Sequence, residues 1–265
     1  MGSKTSLVGK FLVYAGFIAA FIFVYGSLEP ASQAAIDGVP YFDGSTNVHR
    51  TNENLGIENG EITMGGWVRV TTQPALNSIS HLFLKGSSVG NIVYRTKYRD
   101  SGGTKQLQFG RSRLGLGDDY ATIDYTLQTN QWYYITYLYN GNAQHGFVNG
   151  VEIGSGVSTG NGSSGAQNCV TVGADSACAG AGDYLTGNMA DFVVYNVALS
   201  TSTSRIQNLM TQRPPDNDNG LVLFWQMKEG VGPGFFDVVQ GKDSNGGNGA
   251  ITWQPEHPHA TYYNE

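Results

Sequence analysis

QWYYITYLYNGNAQHGFVNGVEIGSG, residues 131–156, decides how this chain is read. Its first half, QWYYITYLYNG, is the densest aromatic run in the sequence. It reads as a central strand, because aromatic and β-branched side chains fit a pleated, half-buried surface. Its second half sets Asn149-Gly150 between FV and VEI. Two residues that tolerate a left-handed backbone, flanked by strand-like runs, are the strongest short-range hairpin signal.

The same signal recurs outward in both directions. ITMGGWVRV (62–70) alternates around Trp67, and HLFLKG (81–86) and NIVYRTKY (91–98) follow. KQLQFGRSR (105–113) alternates Leu107 and Phe109 with polar partners. Beyond the hairpin, STGNGSSGAQN (158–168) reads as a loop, and CVTVGAD (169–175) and GNMADFVVYNVAL (187–199) as strands. One short helix is predicted near 200–210, with Ser200 or Ser202 as cap and Ile206, Leu209 and Met210 on one side. RPPDNDNG (213–220) is a turn, and GLVLFWQMKEG (220–230) returns to strand. With 37 Gly, 15 Tyr and 12 Phe and only 14% charged residues, this pattern predicts an all-β domain of two packed antiparallel sheets. About 225 residues follow the first 40, enough for one sandwich.

Several of these segments, in order, resemble the laminin-G-like, concanavalin A-like family. YFDGSTN (41–47) resembles the family's FDGSN-like opening, EITMGGWV (61–68) its F-T-I-x-x-W-V strand, and LFLKG (82–86) its Lys-Gly turn. WYYITYLYNG (132–141), FVNGVEI (147–153) and GNMADFVVYNVALS (187–200) match three further family pieces. The resemblance covers about 41 to 210 and implies a jelly roll of two curved sheets. The tail, 220–253, resembles a segment that in the family often precedes FDGS. Here it follows, either as a rearranged strand set that completes the same sandwich or as a truncated second repeat. The first reading is favoured, since close termini tolerate rearrangement.

The amino-terminal stretch carries a separate expectation. Phe11 to Leu28 holds no charge. As a helix it would extend about 27 Å, close to a hydrocarbon core. Lys4 and Lys10 precede it, while Glu29 and Asp37 follow. The positive-inside rule then puts residues 1–10 on the cytoplasmic side and the sandwich across the bilayer. Ser32 and Ala34 offer a signal-peptidase pattern, but the apolar run is longer than a signal core. The expected order is an inner-side terminus (1–10), a transmembrane helix (11–28), a linker (29–40) and the sandwich (41–265). MGSKTS matches a myristoylation motif at Gly2. Asn161 heads the sequon Asn-Gly-Ser.

Chemistry is sparse. The net charge is −6, with no basic stripe evident, which argues against nucleic acid. Cys169 and Cys178 are a disulfide candidate, or two buried thiols in a reducing compartment. No Cys or His falls at zinc spacing. His49, His81, His145, His257 and His259 are scattered and read as surface or hydrogen-bonded residues. The family includes glycoside hydrolases, whose retaining members carry E-x-D-x-x-E on one strand. This sequence lacks it, and Glu58 with Glu61, or the loop-like Asp118-Asp119, does not replace it. The resemblance also implies a calcium site at a loop rim, onto which Asp43, Asn47 and Asp191 map. For glycans, Tyr120, Tyr184, Trp253, Tyr262 and Tyr263 are surface aromatics, whereas Trp67 and Trp132 are read as buried.

Two functions are therefore expected, neither enzymatic. In the first, the sandwich is a structural, protein-binding part of a membrane-associated assembly. Anchored lectin-like sandwiches resemble minor capsid components of large viruses with an internal membrane. In the second, it is a surface lectin for glycans, with calcium. Glycoside hydrolysis is a remote third.

Overall fold

The computed structural model describes residues 38–45, 49–51, 55, 57, 60–87, 91–113, 117–160, 169–175, 182–199, 203–246, 251–255 and 257–258. The chain divides into Met1–Ile36 and Asp37–Glu265, and the first unit lies outside the described residues. So do Gly2, the 11–28 stretch, Asn47, Asn161 and Cys178. Among the described residues no helix is long and apolar enough to cross a membrane.

The strands, in chain order, are β1 (Gly38–Asp43), β2 (His49–Thr51), β3 (Ile62–Val70), β4 (Ile79–Ser87), β5 (Asn91–Ser101), β6 (Thr104–Arg113), β7 (Gly117–Asp124) and β8 (Trp132–Tyr139). They continue with β9 (Ala143–Val148), β10 (Val151–Val157), β11 (Val170–Val172), β12 (Thr186–Tyr195), β13 (Leu221–Trp225), β14 (Asn245–Gly246) and β15 (Thr252–Pro255). The described helix, α1, spans Thr203–Thr211. Sheet A runs β10-β9-β8-β3-β12-β1-β15, with β13 also on β12. Sheet B runs β14-β2-β11-β4-β5-β6-β7. All the strand pairs are antiparallel, and the tail supplies strands to both sheets. Asp118-Asp119, read as loop-like, lies within β7. Its Gly and Asp are poor strand formers, but eight register pairs with β6 hold it in the sheet.

The hairpin at 149–150 forms as predicted, with Asn149 at φ 50° and Gly150 at φ 72°. The Asn149 Oδ1 also accepts from the Tyr134 amide at 2.9 Å, which pins the turn to the neighbouring strand. Between the sheets, β3 sends in Met64, Val68 and Val70, β8 sends Ile135, Tyr137 and Tyr139, and β5 and β6 send Tyr94, Tyr98, Leu107 and Phe109. Each fully buried apolar side chain of this size contributes about 1.5–3 kcal/mol. Gly146 belongs to this layer, since a Cβ there would lie 2.1 Å from the Phe109 ring. Arg111 breaks the alternation: it points inward and is fully buried. Its guanidinium donates to the Tyr139 hydroxyl at 2.8 Å and to the Gly160 carbonyl at 2.7 Å.

The outer faces differ. On sheet A, α1 lays Ile206 and Leu209 against Tyr134, Leu138, Phe147 and Val193, making a second apolar layer. Sheet B's outer face carries polar side chains instead.

Candidate functional site

The site starts from one strand. Along β5, Tyr94, Thr96 and Tyr98 enter the core, so Arg95, Lys97 and Arg99 share the opposite face. This is a short basic row that the sequence reading did not register. The register extends it sideways. His81 on β4 lies across from Lys97, which lies across from Gln108 on β6 and then Thr122 on β7. In the adjacent row, Arg95 faces Gly110, and Gly110 faces Tyr120.

Gly110 is what lets Tyr120 lie down. A Cβ at 110 would sit 2.2 Å from the Tyr120 ring. The ring instead covers the glycine and reaches the cations, with its centroid 4.1 Å from Lys97 Nζ and 5.5 Å from Arg95 Cζ. Asp118 ties the edge of this arrangement. Its carboxylate accepts from Arg95 at 3.1 Å, from the Ser112 hydroxyl at 2.6 Å and from the Tyr120 hydroxyl at 3.1 Å.

Two more acids come from a loop neck. Asp175 and Gly182 exchange backbone hydrogen bonds at 2.8 and 3.1 Å, and the His81 amide donates to the Asp183 carbonyl at 2.8 Å. Asp183 adopts a left-handed backbone at φ 48°, a conformation that Asp tolerates better than most residues. The result brings His81, Asp175 and Asp183 together, their nearest nitrogen and oxygen atoms all within 4.8 Å of one another.

The base of this cluster, here termed the recess, is buried and its edge is exposed. Arg95, Lys97, Gln108 and Ser112 are buried, as is His81 at 2% exposure, whereas Asp118, Thr122 and Asp183 are exposed. Several floor atoms have no hydrogen-bond partner: both ring nitrogens of His81, Nε of Arg95 and Oε1 of Gln108. Buried polar atoms are almost always paired, so such a concentration needs a cause.

Burial sets the protonation states. It drives the His81 imidazole down to about 3, helped by the charges of Lys97 and Arg95. It also lowers the Lys97 ammonium to about 8, with Arg95 and Arg99 adding to the effect. Asp175 is raised by burial, and the Asp183 carboxylate pushes it further up. Tyr120 is raised for the same first reason. At neutral pH His81 is therefore an uncharged imidazole, and its 3.9 Å approach to Asp183 is not an ion pair. The expectation that each histidine is exposed or hydrogen-bonded fails at His81.

Of the residues mapped onto a calcium rim, Asn47 lies outside the described residues, and Asp43 and Asp191 stand apart. Asp43 is exposed and caps its own turn, accepting from the Ser45 amide at 2.8 Å and hydroxyl at 3.0 Å. It pairs with Thr186, five positions from Asp191 along β12, or about 16 Å at strand spacing. Asp191 is buried at the β12 bulge with φ 51°, its carboxylate 3.7 Å from His257. A carboxylate on the surface and one under the sheet, so far apart, cannot share one ion. No described cysteine is free. Cys169 is disulfide-bonded.

Trp67 and Trp132 are half-buried on the outer face of sheet A rather than in the core. Trp132 borders a concavity. This open groove of about 740 Å³ is lined by Tyr41, Arg69, Thr71, Asn130, Gln254 and Pro255. Arg69 there already donates to Asn188 Oδ1 at 3.0 and 3.1 Å and to Gln254 Oε1 at 3.3 Å. On the outer face of sheet B, by contrast, the Lys97 ammonium lies beside the Tyr120 ring and the exposed Asp118 and Thr122.

A family model described as the concanavalin A-like lectin/glucanases superfamily matches residues 42–203. No curated protein matches the sequence. Among solved structures, the chain is similar to a native heptameric SAP-like pentraxin from Limulus polyphemus. Identity is 16% and TM-score 0.60, covering 85% of this chain and 98% of that one. It is also similar to a candidate carbohydrate-binding protein from Bacteroides ovatus. There the identity is 17% and TM-score 0.62, over 83% of this chain and 60% of that one. A third is the CBM40 of a Ruminococcus gnavus IT-sialidase, bound to α2,3-sialyllactose. Identity is 12% and TM-score 0.50, over 62% of this chain and 91% of that one. At these identities the likeness is one of fold.

Proposed function

The chain belongs to the concanavalin A-like lectin/glucanases superfamily, and we propose that it binds saccharides, without cleaving them, on the outer face of sheet B. The observation that carries this reading is the half-buried Tyr120 ring, held flat over Gly110 between Lys97 and the exposed Asp118 and Thr122. Sugar hydroxyls both donate and accept, so one saccharide can bond Asp118, Thr122 and the Lys97 ammonium together. The exposed side of the Tyr120 ring offers the apolar wall that the carbon face of a sugar ring requires. Two of the similar folds are described as carbohydrate-binding or are bound to sialyllactose, which supports binding over hydrolysis.

The test is a saccharide array probed with the full chain in detergent micelles. Binding should appear for the wild type and fall sharply for Thr122→Val and Lys97→Met. An array blank for the wild type sinks the reading. Release of reducing sugar from a bound glycan would make the site catalytic instead.

A second element of the function rests on Phe11 to Leu28, whose 18 uncharged residues suit a span. On this proposal the sandwich works while held at a membrane, within an assembly of other proteins. Deleting residues 1–35 should then abolish incorporation into that assembly while leaving saccharide binding intact. Undiminished incorporation of the deleted chain would refute the anchor.

A further inference from the structure

We propose that His81, Asp175 and Asp183 form a binding site for a divalent transition-metal ion of the zinc type. The inference is independent of saccharide binding, because it rests on the donor set alone.

Three observations carry it. The first is convergence: one imidazole nitrogen and two carboxylate oxygens lie within 4.8 Å of one another. His81 Nδ1 is already 3.9 Å from Asp183 Oδ2. An N–O edge in a tetrahedral site with bonds of about 2.0–2.1 Å is roughly 3.4 Å. Small side-chain rotations of Asp175 and the exposed Asp183 would close the remaining gap, with no movement of the sheet.

The second is the state of the histidine. It is 2% exposed, and neither ring nitrogen has a hydrogen-bond partner. A neutral imidazole always has one lone pair, and here that lone pair has nothing to accept from. A buried acceptor left unpaired is destabilising, and a metal bond would satisfy it.

The third is the balance of charge. Arg95 and Lys97 oppose a cation in this recess, and both act on His81. Asp118 offsets Arg95 by direct contact at 3.1 Å. Asp118, Asp175 and Asp183 balance Arg95, Lys97 and Arg99, so the cluster carries no net positive charge to exclude a cation. An anion is the alternative occupant, but His81, Asp175 and Asp183 present lone pairs, which an anion does not seek.

The donor chemistry selects the ion class. Calcium and magnesium take oxygen donors almost exclusively, whereas imidazole with carboxylates suits zinc and its neighbours. Three protein donors leave a position open for water or a ligand oxygen, on the side where Asp183 is exposed.

The experiment uses the full chain in detergent micelles, without a histidine tag, stripped by chelator and titrated calorimetrically with zinc chloride or calcium chloride. The expected result is one zinc per chain and no comparable calcium binding. His81→Gln should weaken zinc by about 100-fold or more, since even outer-shell changes cost roughly 10–100-fold. Asp183→Asn should weaken it strongly as well. Asp124→Asn, on the same face but bonded to Gln106 at 2.8 Å, should leave it unchanged. Should His81→Gln not fold, the ¹⁵N shift of the wild-type His81 ring on zinc addition decides the matter. Absence of zinc uptake, uptake indifferent to His81→Gln, an unshifted His81 ring, or calcium bound as tightly as zinc would each overturn the proposal.

Discussion

Replacing His81 by leucine should stabilise the protein, and the gain should grow with acid. At neutral pH the wild type buries two ring nitrogens without partners. Substituting an apolar side chain of similar volume removes that desolvation cost, worth about 1–3 kcal/mol. Below the ordinary histidine range the effect increases. An unfolded His81 takes up a proton near pH 6.5, while the folded one resists down to about 3. Between those limits the unfolded state binds more protons, so wild-type stability falls as pH falls. Each tenfold rise in acidity costs about 1.4 kcal/mol. By pH 4 the wild type should therefore have lost roughly 3 kcal/mol from this one group, a loss the leucine variant does not share. Urea unfolding of both chains at a series of pH values, with chelator present, reads the difference directly. The subtraction cancels the other titrating groups to the extent that they are uncoupled from His81. A difference curve that stays flat between pH 6.5 and 4 would refute the reasoning. It would mean that the folded recess admits a proton, with Asp183 or Asp175 as counter-charge. The same variant should lose zinc binding, gaining stability at the expense of the site.

Three further outcomes are expected. Gly146→Ala would place a methyl 2.1 Å from the Phe109 ring, and overpacking of this kind should cost about 1–3 kcal/mol in urea unfolding. Gly110→Ala should displace the Tyr120 ring, 2.2 Å from the new carbon, away from Lys97 and Arg95. The fold should survive because Tyr120 can swing outward, and saccharide affinity measured by calorimetry should fall roughly 2–10-fold, the worth of one aromatic face. Lys97 is lowered to about 8, so from there to its unfolded value near 10.5 the unfolded chain holds a proton the native one has lost. Stability should therefore rise between pH 8 and 10 by about 1–2 kcal/mol after allowance for solvent screening. Lys97→Met should remove that rise, as equilibrium unfolding at the two pH values would show.

The sandwich was legible because its signals are local. Alternation in β3, β6 and β8 and the Asn149-Gly150 turn each occupy a few residues, and the structure builds strands there. β7 was not legible, because Gly117, Asp118 and Asp119 oppose a strand and only pairing with β6 overrides them. Arg111 misleads in the opposite way. Its charge suggests an outward side chain, yet the two terminal guanidinium nitrogens bond to Tyr139 and two backbone carbonyls inside. The recess was harder still, since His81 and Asp175 stand 94 positions apart in the sequence and no spacing rule connects them. One trace was present. In YRTKYR (94–99) the cations share one parity and the tyrosines the other, which implies a basic outer row once β5 is accepted as a strand. Asp43 and Asp191 stand apart because similarity along a strand says nothing about which faces its acids occupy.

The placement of β1 has a mechanical consequence. The strand is gripped on both sides, by β12 from Tyr41 to Asp43 and by β15 from Gly38 to Tyr41. Antiparallel hydrogen bonds run perpendicular to their strands. A force drawn through residue 37 along the axis of β1 would thus shear both ladders together rather than open them one bond at a time. β15 acts as a clasp on the strand through which such a load enters, and trimming it would leave β1 held along one edge only.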